Sequence, residues 1–127
     1  MVHENAISRV VLSCAIEVHR TLGGPGLLET IYEDALVYEL EERGLDVRRQ
    51  VGVPVIYKGR RLGNDLRVDL VVESRVVVEC KAAIDDHPVH KAQALTYLRL
   101  MSLKLALVIN FGRPLVKDGF SRVVNRL

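Results

Sequence analysis

The chain has 127 residues, 49% of them apolar, with a net charge of +2 and two cysteines. That length suits one domain with its own hydrophobic core, and a charge so near balance excludes a protein held to a polyanion by bulk electrostatics. No apolar run approaches the roughly 18 residues of a membrane span, and Met1–Asn5 lacks the basic start and apolar stretch of a signal peptide, so a cytoplasmic location is the expectation.

Asn5 to Leu22 sets Ile7, Val10, Val11, Cys14, Ala15, Val18 and Leu22 at the spacing of an amphipathic helix. Gly23-Gly24-Pro25-Gly26 stops it. A second helix is predicted from Leu27 to Arg43, with Leu28, Ile31, Tyr32, Ala35, Leu36 and Leu40 inward and Gly44 at its C-terminal cap. The tight turn between the two implies a helical hairpin. From Val47 the period changes to two: Val47, Val51, Val53, Val55 and Tyr57 read as a strand, with Lys58-Gly59 as a hairpin turn. Strands Leu66–Val72 and Val76–Ala82 follow, divided by Glu73-Ser74-Arg75. A third helix begins near His87-Pro88, with proline well placed in the first turn, and ends near Leu103. Leu105–Ile109 and Phe120–Val124 are the last strands. The order ααβββαββ predicts an α/β class with a central mixed sheet flanked by helices. Cys14 and Cys80 fall in apolar segments without CxxC spacing, as buried free thiols do.

Two of these strands carry charges where a buried strand should have none: Arg67-Val68-Asp69-Leu70-Val71-Val72 and Val76-Val77-Val78-Glu79-Cys80-Lys81. A turn centred on Ser74 makes facing residue numbers sum to 148, so Val71 meets Val77 and Asp69 meets Glu79. Facing residues share one side of the sheet, with Cβ atoms about 4.5–5.5 Å apart, and Lys81 lies two residues further along the same face. Two carboxylates that close repel unless a cation separates them. Mg²⁺ is held by one or two carboxylates plus phosphate oxygens and activates both phosphoryl group and water. A neighbouring lysine orients or deprotonates the water and offsets developing charge. The plain structural alternative is a surface cluster of ion pairs on a wet sheet face. A slip of one residue in the turn would also part Asp69 from Glu79.

Asp69, followed after nine residues by Glu79-Cys80-Lys81, resembles the D…ExK signature of the PD-(D/E)xK nuclease superfamily. Gly26-Leu27-Leu28-Glu29-Thr30-Ile31-Tyr32 spells GxxExxY, and the chain resembles the GxxExxY family within that superfamily. Val18-His19, Tyr57-Lys58-Gly59, Gln93 with Thr96-Tyr97-Leu98, Asn110-Phe111-Gly112 and Lys117-Asp118-Gly119 extend the resemblance over about Ile16–Asn125. It implies a restriction-endonuclease-like core carrying an N-terminal helical hairpin. Asp69 and Glu79 are then metal ligands, Lys81 the catalytic lysine and Glu29 the helix glutamate that completes the site. Lys91 departs from the family, which has an acidic residue there.

The supporting residues each have a plainer reading. Glu29 is also a first-turn carboxylate favoured by the helix dipole, and Tyr32 a core aromatic as much as a nucleic-acid contact. His90, Gln93 and Tyr97 share a helical stripe. Gln93 and Tyr97 resemble a QxxxY element that approaches nucleic acid, set against a polar helix edge with a half-buried tyrosine. His19 reads first as a hydrogen-bonding partner of the Gly/Pro turn. Arg48, Arg49, Lys58, Arg60, Arg61 and Arg67 form either a solvated basic face or a phosphate-steering surface, with Arg67 nearest the site in sequence. The expectation is a Mg²⁺- or Mn²⁺-dependent nuclease acting on DNA. The alternatives are a non-catalytic nucleic-acid- or protein-binding module on the same fold and a small structure-selective resolvase working as a homodimer.

Overall fold

The computed structural model describes residues 3–127. Helix α1 (Glu4–Thr21) is capped by the His3 side chain, which accepts the Asn5 N–H at 3.0 Å, and it buries Ile7, Val11, Cys14, Ala15 and Val18. The chain then turns through Gly24 and Gly26 with φ of 92° and 117°, angles that a side chain disfavours. Helix α2 (Glu29–Glu42) begins later than its apolar pattern implies. Leu28 is an extended N-cap residue, so Leu28 and Ile31, expected inward, are 70% and 39% exposed. The stripe that packs is Tyr32, Glu33, Leu36, Val37 and Leu40.

Strand β1 (Val47–Val53) is shorter than expected, because Pro54 has no N–H to continue a ladder. Beyond it, β2 (Ile56–Tyr57) and β3 (Arg60–Arg61) form a separate small hairpin. Its turn is the expected one: Lys58 and Gly59 both have positive φ, 50° and 79°, matching the twist of a two-residue hairpin. Strands β4 (Leu66–Val72) and β5 (Val76–Lys81) pair as Val72↔Val76, Val71↔Val77 and Leu70↔Val78, the register read from the sequence.

Helix α3 (Pro88–Met101) has proline in its first turn and His87 accepting the Val89 N–H at 3.1 Å. It ends before Leu103 because Ser102 turns left-handed at φ 56°. Strand β6 (Leu105–Asn110) lies parallel to β5, and a 3-10 turn over Val116–Gly119, unforeseen in the sequence, leads into β7 (Phe120–Val124).

The five long strands order β1-β4-β5-β6-β7, antiparallel except for the β5/β6 pair. Helices α1 and α2 cover one face, against Leu70, Val72, Val76, Val78, Cys80, Leu107 and Ile109. Helix α3 covers the other with Ala94 and Leu98, against Val53, Val68, Val71, Val77 and Val108. This is the predicted mixed sheet flanked by helices. Each such aliphatic side chain removed from water contributes about 1.5–3 kcal/mol before entropy is counted. Cys14 and Cys80 are both buried and free. Among the described residues no helix is long and apolar enough to cross a membrane.

Candidate active site

The ladder between β4 and β5 stops at Leu70↔Val78. Past that point β4 stays paired with β1 and β5 with β6, so the two strands part. Asp69 and Glu79 fill the gap. The Asp69 N–H donates to Glu79 Oε2 at 2.8 Å, and the Cys80 N–H donates to Asp69 Oδ2 at 2.9 Å. Each carboxyl group thus takes over a backbone donor of the opposite strand, and the two side chains are fixed by the main chain. Bonds of this kind are worth roughly 0.5–1.5 kcal/mol each, and about 1.5–3 kcal/mol where the accepting carboxyl is ionised.

The arrangement is electrostatically expensive. Glu79 is 6% exposed, and burial first, then the neighbouring Asp69 charge, push its pKa up to about 8; Lys81 offsets part of the rise. The pKa of Tyr97 on α3 is raised by its own partial burial and then by the charges of Glu79 and Asp69, so it keeps its phenolic proton at neutral pH. The Cys80 thiol is driven well up, chiefly by burial, which leaves it a packed neutral group rather than a nucleophile or metal ligand.

Lys81, half-buried at the end of β5, makes no ion pair with either carboxylate among the described residues. Its backbone is held on the far side, where Lys81 O accepts the Phe111 N–H at 2.8 Å. The chain beyond it is clamped by Asn110, 3% exposed. Asn110 Oδ1 accepts from the Ala83 and Gly112 N–H groups at 3.0 and 2.9 Å, and its Nδ2 donates to Asp86, which also pairs with Arg113 at 2.9 Å. A Cβ on Gly112 would lie 2.1 Å from Ala83 O, so only glycine lets the two segments approach.

Glu29 stands exposed at the first turn of α2. It lines a surface cleft together with Ala82, the residue that follows Lys81. Of the two readings of Tyr32, the structure gives it a core position rather than an open helix face. Tyr32 is fully buried, stacked on Phe111 with ring centroids 4.7 Å apart, and its hydroxyl donates to Gly24 O at 2.8 Å while accepting the Leu27 N–H at 3.2 Å. It fastens the glycine turn that starts α2. His19 is buried too, but its ring bonds Phe111 O at 3.0 Å rather than the turn, and only its carbonyl accepts from Gly24.

Gln93 is exposed on α3, one turn before half-buried Tyr97. His90 is lowered, chiefly by partial burial and then by the Lys81 charge. Arg67 is exposed and donates to Gln50 O at 3.0 Å. Of the basic run, Arg49 is turned to α2, where it pairs with Glu33 at 3.1 Å and with Asp34, and Arg61 pairs with Asp65 at 2.7 Å.

Two carboxylates locked between parting strands, with a lysine on the next same-face position, form a two-carboxylate, one-lysine cluster. A comparison with protein families agrees: the model of the PD-(D/E)XK nuclease superfamily matches residues 5–123, and the chain belongs to that superfamily. No curated protein matches the chain, and no solved structure does.

Proposed function

We propose that the protein is a divalent-cation-dependent nuclease of the GxxExxY branch, cutting phosphodiester bonds in DNA at Asp69, Glu79 and Lys81. The observation that carries this reading is the interlocked carboxyl pair. Asp69 Oδ2 and Glu79 Oε2 each accept a backbone N–H of the opposite strand, and the two carboxyl groups also lie within side-chain hydrogen-bonding reach of each other. Two carboxyl groups held this close suit Mg²⁺ or Mn²⁺, whose charge offsets their repulsion while water and phosphate complete the shell.

Such a cation, when bound, supplies charge neutralisation at the phosphate and a water of lowered pKa. The rest is the work of this chain. Asp69 and Glu79 hold their oxygens in place before substrate arrives, so little reorganisation accompanies the reaction. Lys81, free of a direct ion pair, orients the attacking water and offsets charge gathering on the phosphoryl oxygens. The protonated Tyr97 hydroxyl donates a hydrogen bond toward the phosphate, with Gln93 beside it on the open edge of α3. Glu29 is the helix glutamate that completes the metal site from the α2 side. Arg67, Arg48, Lys58 and Arg60 are the cations of that run left to meet flanking phosphates.

A binding module with no chemistry is disfavoured by the cost of the site. Burying Glu79 beside Asp69 destabilises the fold and fills no apolar volume, and a surface made only to grip phosphate needs cations there. The test is cleavage of single-stranded, duplex and branched DNA and RNA with Mg²⁺ or Mn²⁺, in wild type, Asp69→Ala and Lys81→Ala. Metal-dependent cutting lost in both variants supports the proposal. Binding by all three proteins without cutting of any substrate refutes it.

A further inference from the structure

Strands β1 and β4 share an irregularity at one level. Their register runs Val47↔Val72, Arg48↔Val71, Arg49↔Leu70, then Val51↔Val68, Gly52↔Arg67 and Val53↔Leu66, with Gln50 and Asp69 skipped. Gln50 is left-handed, φ 50°. The faces also exchange there. Val47, Leu70 and Val72 pack toward α1 and α2, whereas Val51, Val53 and Val68 pack toward α3. Unbroken strands would keep Val47 with Val51, and Leu70 with Val68, on a single face.

A left-handed non-glycine residue persists only where its surroundings hold it. Here both ends of Gln50 are held. Its Nε2 bonds the two oxygens of Glu33 at 3.3 and 3.2 Å, and its carbonyl accepts from Arg67 at 3.0 Å. Glu33 sits on the packed stripe of α2, 6% exposed, and takes Arg49 as well.

We propose that Gln50 is a positioning residue, locked left-handed by Glu33 and Arg67, that turns Asp69 out of the β4 ladder and into the gap beside Glu79. This rests on the nuclease reading for its consequence, not for its geometry. The reversal swings β4 at the one residue whose carboxylate must reach across to the Cys80 N–H. Without it Asp69 would continue the ladder with Gln50 on one side, and its carboxylate would lose the bond that aims it. Helix α2 thereby governs the site twice, placing Glu29 at its first turn and holding Gln50 one turn later through Glu33.

The test compares Gln50→Val, which the left-handed conformation excludes, with Gln50→Gly, which keeps it freely; Gln50→Ala serves as a milder form should the valine variant not fold. One readout is independent of turnover: the ¹H–¹⁵N signals of Asp69 and Cys80, whose N–H groups are bonded to the carboxylates. A second is kcat against KM with Mn²⁺. The valine and alanine variants are expected to move both amide signals and to lower kcat, by roughly 100-fold for valine, with KM little changed, as a small misplacement of a reacting group does. The glycine variant is expected to stay within about threefold of wild type, since positive φ costs glycine nothing. Wild-type amide signals and kcat in the valine or alanine variant would overturn the proposal. Should wild type cut no substrate while those variants still displace the two amides, the nuclease reading fails and the positioning stands.

Discussion

Replacing Glu79 with glutamine removes the most expensive ionisation in the protein while preserving the shape of the side chain and an oxygen for the Asp69 N–H. In the folded, metal-free protein Glu79 holds its proton up to about pH 8, against 4.5 ordinarily. Between those values the folded state keeps a proton that the unfolded chain has released. Stability is therefore greatest below pH 4.5 on this account and falls as pH rises toward 8. The full loss is on the order of 4–5 kcal/mol, at about 1.4 kcal/mol per pH unit. For a chain of 127 residues that is a fall in Tm on the order of 15–20 °C. His90, lowered mainly by burial, tilts the curve the other way below its ordinary 6.5, but it does so in both proteins and cancels in their difference. The assay is thermal unfolding in EDTA from pH 5 to 9. Glu79→Gln is expected to match wild type near pH 5 and to exceed it increasingly up to pH 8.5, while Mg²⁺ or Mn²⁺ restores wild type alone and cleavage is absent from the variant. Parallel Tm curves for the two proteins across the whole range would refute the reasoning, because Glu79 would then ionise at no cost.

Lys81→Met is expected to lower kcat by 100-fold or more, within the range of lost acid–base and charge-stabilising groups, while Mn²⁺ affinity measured by calorimetry stays near wild type because the carboxylates are untouched. Asp69→Asn is expected to abolish that Mn²⁺ binding, and retained affinity would remove Asp69 from the ligand set. Tyr32→Phe loses two hydrogen bonds at the glycine turn, a destabilisation of about 1–3 kcal/mol that urea unfolding would show, with nucleic-acid affinity unchanged in the folded variant. Gly112→Ala forces Ala83 away from a 2.1 Å overlap and is expected to reduce cleavage through the chain after Lys81; full activity with unchanged stability would show the clamp to be dispensable.

The helices and the β4/β5 register were legible because each rests on short-range periodicity. The apolar stripe of α1 and the Ser74-centred turn specify their partners within a few residues, and the placing of Asp69 near Glu79 followed from that arithmetic. The parting of the strands was not legible, since ending a ladder depends on what β1 and β6 do at the same level, far away in sequence. Tyr32 shows a second limit. Three residues after Glu29 it shares a helix face with it, but helical phase alone does not say that Phe111, from the end of β6, stacks over its ring and seals it. Glu33 did carry a signal: a carboxylate between Tyr32 and Leu36 on an otherwise packed stripe demands a buried partner. Nothing local marks Gln50 as that partner, because glutamine has no preference for positive φ.

The position of the irregular residue follows from which strand is free to move. Strand β5 pairs with β6 as far as Lys81↔Asn110, and the Phe111 N–H and the Asn110 side chain fasten the chain immediately after it. Opening the sheet from that side would break a parallel ladder and a buried amide network together. The gap that admits two carboxylates must therefore be made by displacing β4, and β4 carries β1 with it, since the two stay paired on both sides of Asp69. The compensating backbone reversal has to fall on β1, directly opposite Asp69, and Gln50 occupies that place. Glu79 and Lys81 are thus fixed by the rigid half of the sheet, whereas Asp69 depends on an adjustable half braced by α2.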